Sequence, residues 1–360
     1  MIEKRVVLVT GVAGYWGARV ATRLAEESYH VLGVDREPPA AEIEGLDFIA
    51  ADIRNPLLMD LMQSEGVDTV CHLAFVEATQ PSQAAFDLNV TGTTKVLEAC
   101  AKAGVRKVVL KSSMAVYGAR PGNSTFLAED HALRGSKRRG TTCNLIDIEM
   151  FCSGFRRQVP EVLLTILRFP SIVGPAADTP MARFLSRPLA PGLLGFDPLM
   201  QIIHADDVVG ALVHAVGNDA PGVFNVAAED VLPLNKVRGL ANKPPISVFH
   251  PFAYWGGRLL GRAGLGSETY LPIEPDYLRY PWVGDLSRMR DELGFEPRYT
   301  AEETLREFAE RNRLIRYQSG SVSLAHEEER LHDVIERRRR AREQQIQPAT
   351  GAAVGGDTHE

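Results

Sequence analysis

Three glycines, Gly11, Gly14 and Gly17, stand in "VVLVTGVAGYWGARVATRLAEE", directly after an apolar run and at the opening of an amphipathic one. Glycine suits each place for its own reason: a tight turn, backbone N–H groups approaching a pyrophosphate, and close packing of helix on strand. Tyr15 and Trp16 fall within the same turn. Asp35 closes the next apolar run, "VLGVDRE", 24 residues beyond Gly11. That is near the spacing at which a carboxylate accepts from ribose hydroxyls. The chemistry implied is the binding of a dinucleotide. A carboxylate at Asp35 repels a 2′-phosphate and so favours NAD over NADP, although Arg36 beside it offsets part of that repulsion. Asp52 and Ile53 end a third run, "FIAADIR", where an acid can meet an adenine amino group.

The elements that must hold these residues follow from the period of the sequence. Short β-branched runs (residues 6–9, 31–34, 48–50, 69–73, 107–112 and 163–168) alternate with helical stretches, which indicates βαβ units. The predicted fold is α/β, a doubly wound parallel sheet of the Rossmann kind with a smaller C-terminal substrate region. Residues 1–173 make the dinucleotide-binding part, and 201–228, with the strand-like "PGVFNVAAED", return to it. Proline and glycine become frequent over 174–200 and 229–315, which are read as the substrate region. Residues 316–346 predict a charged helix, acidic first and basic after, as the helix dipole favours. The tail, 347–360, is expected to be disordered.

In order along the chain, "TGVAGYWG", "ADIR", "HLAF", "NVTGTTKVLEAC", "SSMAVYG", "LRFPSIVGP", "QIIHADDV" and "FNVAAED" resemble the extended short-chain dehydrogenase/reductases, the NAD-dependent epimerase/dehydratase family. The resemblance runs over roughly residues 5–310 and is strongest to a bacterial subgroup similar to UDP-glucose 4-epimerases. It implies that Gly11, Gly14 and Gly17 hold the pyrophosphate, Asp35 the ribose, and Asp52 with Ile53 the adenine. It also implies that Leu73 and Ala74 lie along the cofactor and that Asn89 ties the central strands together. Ser113 would bond the reacting carbonyl or hydroxyl. The family dimerises through two long helices, here about 83–103 and 142–158, so a homodimer is expected.

The same resemblance exposes a loss. Family members move a proton with a tyrosine whose pKa is lowered by a lysine one helical turn later. Aligning "TTCNLIDIEMF" on that helix places Cys143 at the tyrosine and Asp147 at the lysine. None of the nine tyrosines has a lysine four residues on, and Lys137 lies outside the helix. A thiol beside a carboxylate is a poor substitute, because the negative neighbour opposes the thiolate. Two readings remain open: an enzyme acting on a small hydroxylated or carbonyl compound such as a nucleotide sugar, through another proton path, or a non-catalytic NAD-binding scaffold or sensor.

Other candidates are thinner. Arg183 is the favoured anchor for a substrate phosphate, with Arg168 and Arg279 behind it, and Tyr280 or Trp282 could stack on a base. His204, Asp206 and Asp207 read as a strand-to-helix junction capped by an aspartate, so no metal is expected. A net charge of −6 offers nothing to nucleic acid or anionic lipid, and the arginines at 337–340 are diluted by glutamates. Four cysteines without C-x-x-C spacing, and a first strand that begins at once, leave a cytoplasmic protein as the expectation.

Overall fold

The computed structural model describes residues 4–27, 29–77, 81–136, 140–249 and 273–314, with Ile335 and Arg338. It divides into two units, Met1–Ala309 and Glu310–Glu360. In the second, 310–314, Ile335 and Arg338 are helical. The expected charged helix over 316–346 otherwise lies outside the described residues, as do Lys137 and the tail.

In the first unit, seven parallel strands form the main sheet: β1 Val6–Thr10, β2 His30–Asp35, β3 Leu46–Ala50, β4 Thr69–His72, β5 Lys107–Ser113, β6 Leu163–Phe169 and β10 Gly222–Asn225. Their order is β10-β6-β5-β4-β1-β2-β3. The strands are short apolar runs because both faces are covered. Alternation splits them between two cores: Val7 and Val9 face one, Leu8 and Leu110 the other. Helices α1 Tyr15–Glu26 and α7 Ala205–Gly217 pack together, and α2 Leu58–Ser64 packs on α4 Gly92–Ala103. Helix α5 Gly140–Gln158 meets α4 and also α3 Gln83–Phe86, which runs into α4 through a π turn at Asp87–Thr91.

The winding reverses at β1, which pairs with β2 on one side and β4 on the other. Beyond their carboxyl ends lies the crevice in which open α/β sheets bind ligands. A second sheet, β7 Ser171–Val173, β9 Leu199–His204 and β11 Val231–Pro233, stands beside the first. A third pairs β8 Gly192–Leu193 with β12 Ser247–Val248. Between them come α6 Pro180–Ser186 and α8 Leu234–Leu240. Of residues 201–228, the segment 222–225 pairs beside β6 in the main sheet, whereas 201–204 belong to β9 of the second sheet. No described helix is long and apolar enough to cross a membrane.

Candidate functional site: a glycine cradle opening on an apolar cavity

The turn after β1 is built so that backbone approaches backbone. Gly11 has φ +75, and a Cβ there would lie 2.6 Å from the amide nitrogen of Ala74. A Cβ on Gly17 would meet the Gly11 carbonyl oxygen at 2.1 Å, so α1 can sit this close to β1 only with glycine. Gly14 caps α1 without a side-chain hydrogen bond, and the first turn carries no acid. The helix thus presents uncapped N–H groups and the positive end of its dipole to the crevice. Asp35 fixes the turn: Ala13 N–H donates to Oδ2 at 3.0 Å and Arg36 N–H to Oδ1 at 2.7 Å. A carboxylate has about four acceptor sites, so room remains for ribose hydroxyls. Taken together, the cradle, the uncapped helix and the acid fit a dinucleotide.

A buried chain of hydrogen bonds sets the opposite wall. The Thr93 hydroxyl donates to the Asn89 carbonyl at 2.5 Å, so its oxygen can only accept from His72 Nε2, 2.9 Å away. His72 Nδ1 must then accept from the Thr10 hydroxyl at 2.7 Å, leaving the Thr10 oxygen to receive the N–H groups of Leu73 and Ala74. Burial lowers the His72 pKa to about 4 and keeps the ring neutral, as this pattern requires. Asn89 does not tie the strands together as expected. Its amide exchanges two bonds with the backbone of Val76, both 2.8 Å, and so pins the loop after β4. Ile53 is buried beneath Gly92, while Asp52 is gripped by Arg54, which holds its carboxyl down at about 2. Tyr15 donates to the Pro175 carbonyl, and Trp16 alone of the pair turns into the cavity.

That cavity, about 520 Å³, runs from Trp16, Leu73 and Ala74 past Lys111 and Ser113 to Tyr277 and Trp282. Ser113 lines it, with its oxygen accepting from Ala115 N–H at 3.1 Å and its hydroxyl donating, over a longer 3.3 Å, to the Phe169 carbonyl. Helix α5 contributes Thr141, Thr142, Leu145 and Ile148. Cys143 and Asp147 are not among the lining residues; they face each other across one turn, Sγ to Oδ2 3.9 Å. At about 100° per residue, a shift of two positions carries a side chain to the far side of a helix. The α5 residues one turn apart that do face the cavity are therefore Thr141 and Leu145, and not Cys143 and Asp147. Glu149, four residues beyond Leu145, points inward to Ser112 and Arg168.

Comparison with known proteins agrees with this geometry. The sequence profile of the NAD dependent epimerase/dehydratase family matches residues 7–227. The chain belongs to that family. An uncharacterized protein of Mycobacterium tuberculosis is 35% identical over 318 residues, covering 84% of this chain and 83% of its own. Among solved structures, MoeE5 in complex with UDP-glucuronic acid and NAD superposes with a TM-score of 0.65 at 26% identity, over 85% of this chain and 99% of that one. The UDP-glucose 4-epimerase of Thermotoga maritima gives 0.66 at 21% identity, over 86% and 99%.

Within this epimerase/dehydratase family chain, several expected anchors are otherwise engaged. Arg168 is buried in a network with Glu149 and with Tyr117, whose hydroxyl donates to Asn225, so it is a core cation and not a substrate anchor. Burial pushes the Tyr117 phenol up to about 12, and its side chain is wholly enclosed. Arg183 reaches the cavity but pairs with Glu77 and Asp178. Arg279 lies over the rings of Phe196 and Tyr280, so Tyr280 stacks on protein. Trp282 lines the cavity with Nε1 buried and unpaired among the described residues. The cap of α7 is His204, whose Nδ1 accepts from Asp206 N–H; Asp206 pairs with Arg19, and Asp207 accepts from the amides of Arg298 and Tyr299. A more open depression of about 630 Å³ by α1 and α7 contains these same satisfied groups and no reactive cluster.

Sequence reasoning missed Lys111, Thr141, Leu145 and Glu149. Only Lys111 left a signal: a charge inside "KVVLKSS", a strand covered on both faces.

Proposed function

We propose that the chain binds NAD(H) and acts on a small hydroxylated or carbonyl compound, with a nucleotide sugar the favoured class. The observation that carries this is the continuity of the glycine cradle at the β1–β4 reversal with a largely apolar cavity ending at Tyr277 and Trp282. UDP-glucuronic acid, UDP-glucose and NAD occupy the corresponding relatives. In this reading the N–H groups of the Gly11 to Gly17 turn receive the pyrophosphate, and Asp35 accepts from the adenosine ribose. Asp52 and Ile53 border the adenine, and Leu73 and Ala74 lie along the cofactor. Bound NAD would supply hydride acceptance and its reverse. Ser113 would hold the oxygen at the reacting centre, exchanging its long bond to Phe169 for one to the ligand. Thr141 and Leu145, one helical turn apart on the cavity wall, offer no proton-transfer pair, so in this reading the usual path is closed.

That closure supports a second reading, a non-catalytic NAD-binding scaffold. Exposed Phe86 and Met150, on the two helices by which the family dimerises, favour a homodimer in either case. We place the protein in the cytoplasm on the spacing of its four cysteines, none of which stands in a C-x-x-C pair.

Mass spectrometry of small molecules released on denaturing the purified protein tests the cofactor. NAD or NADH near one per chain is expected; a protein that retains none and takes up none refutes the reading. The double variant Thr141→Tyr, Leu145→Lys then separates enzyme from scaffold. Oxidation of a UDP-hexose by it, and not by Cys143→Tyr, Asp147→Lys, is expected if the cavity is a sugar site.

A further inference from the structure

Lys111 has no role in the fold that accounts for it. It lies near the end of β5, two residues before Ser113, so the two side chains leave the sheet on the same face about 7 Å apart. Both are half-buried and both line the cavity; Ser112 between them borders it too but is buried, its hydroxyl spent on Glu149. Among the described residues Lys111 makes neither a hydrogen bond nor an ion pair. Its ammonium sits over the Trp16 ring, 5.1 Å from the centroid, at the first turn of α1. Lys107, on the same strand, is the contrasting case: it donates to three carbonyls at the end of α7 and pairs with Asp219. One lysine of β5 is thus tied into the framework and the other is held in the cavity by an aromatic face alone. The other charges lining the cavity are Arg183, paired with Glu77 and Asp178, together with Arg187 and Glu274.

We propose that Lys111 is the acid–base residue of this cavity, working with Ser113 on the oxygen of the bound ligand in place of the absent pair on α5. Ser113 orients a hydroxyl or carbonyl oxygen, and the Lys111 amine takes the proton of that hydroxyl, an O–H bond breaking as an N–H bond forms; the ammonium returns it in the reverse sense. Burial depresses the Lys111 pKa, with Glu77 opposing, which brings its neutral form closer to working pH. The cation also supplies positive charge beside the cavity oxygen from a strand, where no helix register is needed. This inference rests on the cavity being the ligand site, as proposed above.

The test is to observe Lys111 itself in the full chain, with lysines labelled with 13C at Cε and the Lys111→Arg variant identifying its signal. The signal is followed from pH 6 to 11, alone and with UDP-glucose and NADH added. A midpoint below the ordinary lysine range, and a signal that moves on adding UDP-glucose, are expected. A signal that titrates as an ordinary lysine, or one that ignores both additions, overturns the proposal. NADH uptake is read in the same samples by its fluorescence. No uptake with a depressed Lys111 midpoint refutes the dinucleotide reading while this inference stands; uptake with an ordinary, unresponsive Lys111 refutes this inference alone. Lys111→Met should keep NADH uptake and remove the pH dependence of UDP-glucose binding.

Discussion

His72 shows how a single residue converts buried polarity into a cofactor wall. Its ring joins Thr10 to Thr93 and, through them, fixes the amides of Leu73 and Ala74 that face Gly11. Thr93→Val leaves Nε2 without an acceptor and should cost ~1–3 kcal/mol in urea unfolding, the usual penalty for an orphaned buried group. The ring also makes stability pH-dependent. Its folded pKa, about 4, lies below the unfolded value near ~6.5, so between these limits the unfolded chain binds more protons. Stability should therefore fall as pH drops from ~6.5 toward 4, and the His72→Asn variant should show a shallower slope over that window. Gly17→Ala must push its Cβ away from the Gly11 carbonyl, and we expect loss of dinucleotide retention together with a lower Tm.

At the scale of the element, α5 is held by a buried ion pair as well as by its buried apolar side chains. Glu149 and Arg168 are almost wholly buried, and Glu149 also receives the Ser112 hydroxyl. Breaking such a pair strands a charge, so Glu149→Gln should cost ~3–5 kcal/mol, whereas Glu149→Leu with Arg168→Met should recover much of that loss. A double-mutant cycle in denaturant measures the coupling. Residue type along α5 does not show which of its side chains reach the cavity. "TTCNLIDIEMF" contains neither tyrosine nor lysine to mark a register, and the rotation of the helix is set by Glu149, anchored on β5 and β6, together with the buried Ile148, Cys152 and Phe155. Thr141 and Leu145, facing the cavity, follow from it.

For the whole molecule, the two helices from 83–103 and 140–158 carry the exposed apolar side chains Phe86 and Met150. If they form the dimer seam, Met150→Glu should shift the protein from dimer to monomer in light scattering while its far-ultraviolet circular dichroism is unchanged. The parallel sheet was legible before any coordinates, since β-branched runs separated by helical stretches admit few other arrangements. The expected strands match those observed to within one or two residues. The glycine turn and Asp35 were legible for the same local reason: each is a conformational or electrostatic requirement met by one residue type at one spacing.

By itself, then, the sequence determined the α/β winding, the cradle between β1 and α1, and the absence of a Tyr-Lys pair, because these depend on period and on neighbours close along the chain. Tertiary structure decided which side chains share the cavity. Arg168 left the candidate set because Tyr117, Glu149 and the Glu129 carbonyl satisfy it, and Cys143 and Asp147 left it because the packing of α5 turns them away from the cavity. Lys111 entered it because one strand-end lysine, unlike Lys107, has no framework partner among the described residues. Such facts depend on which distant groups meet, and spacing along a chain does not carry them.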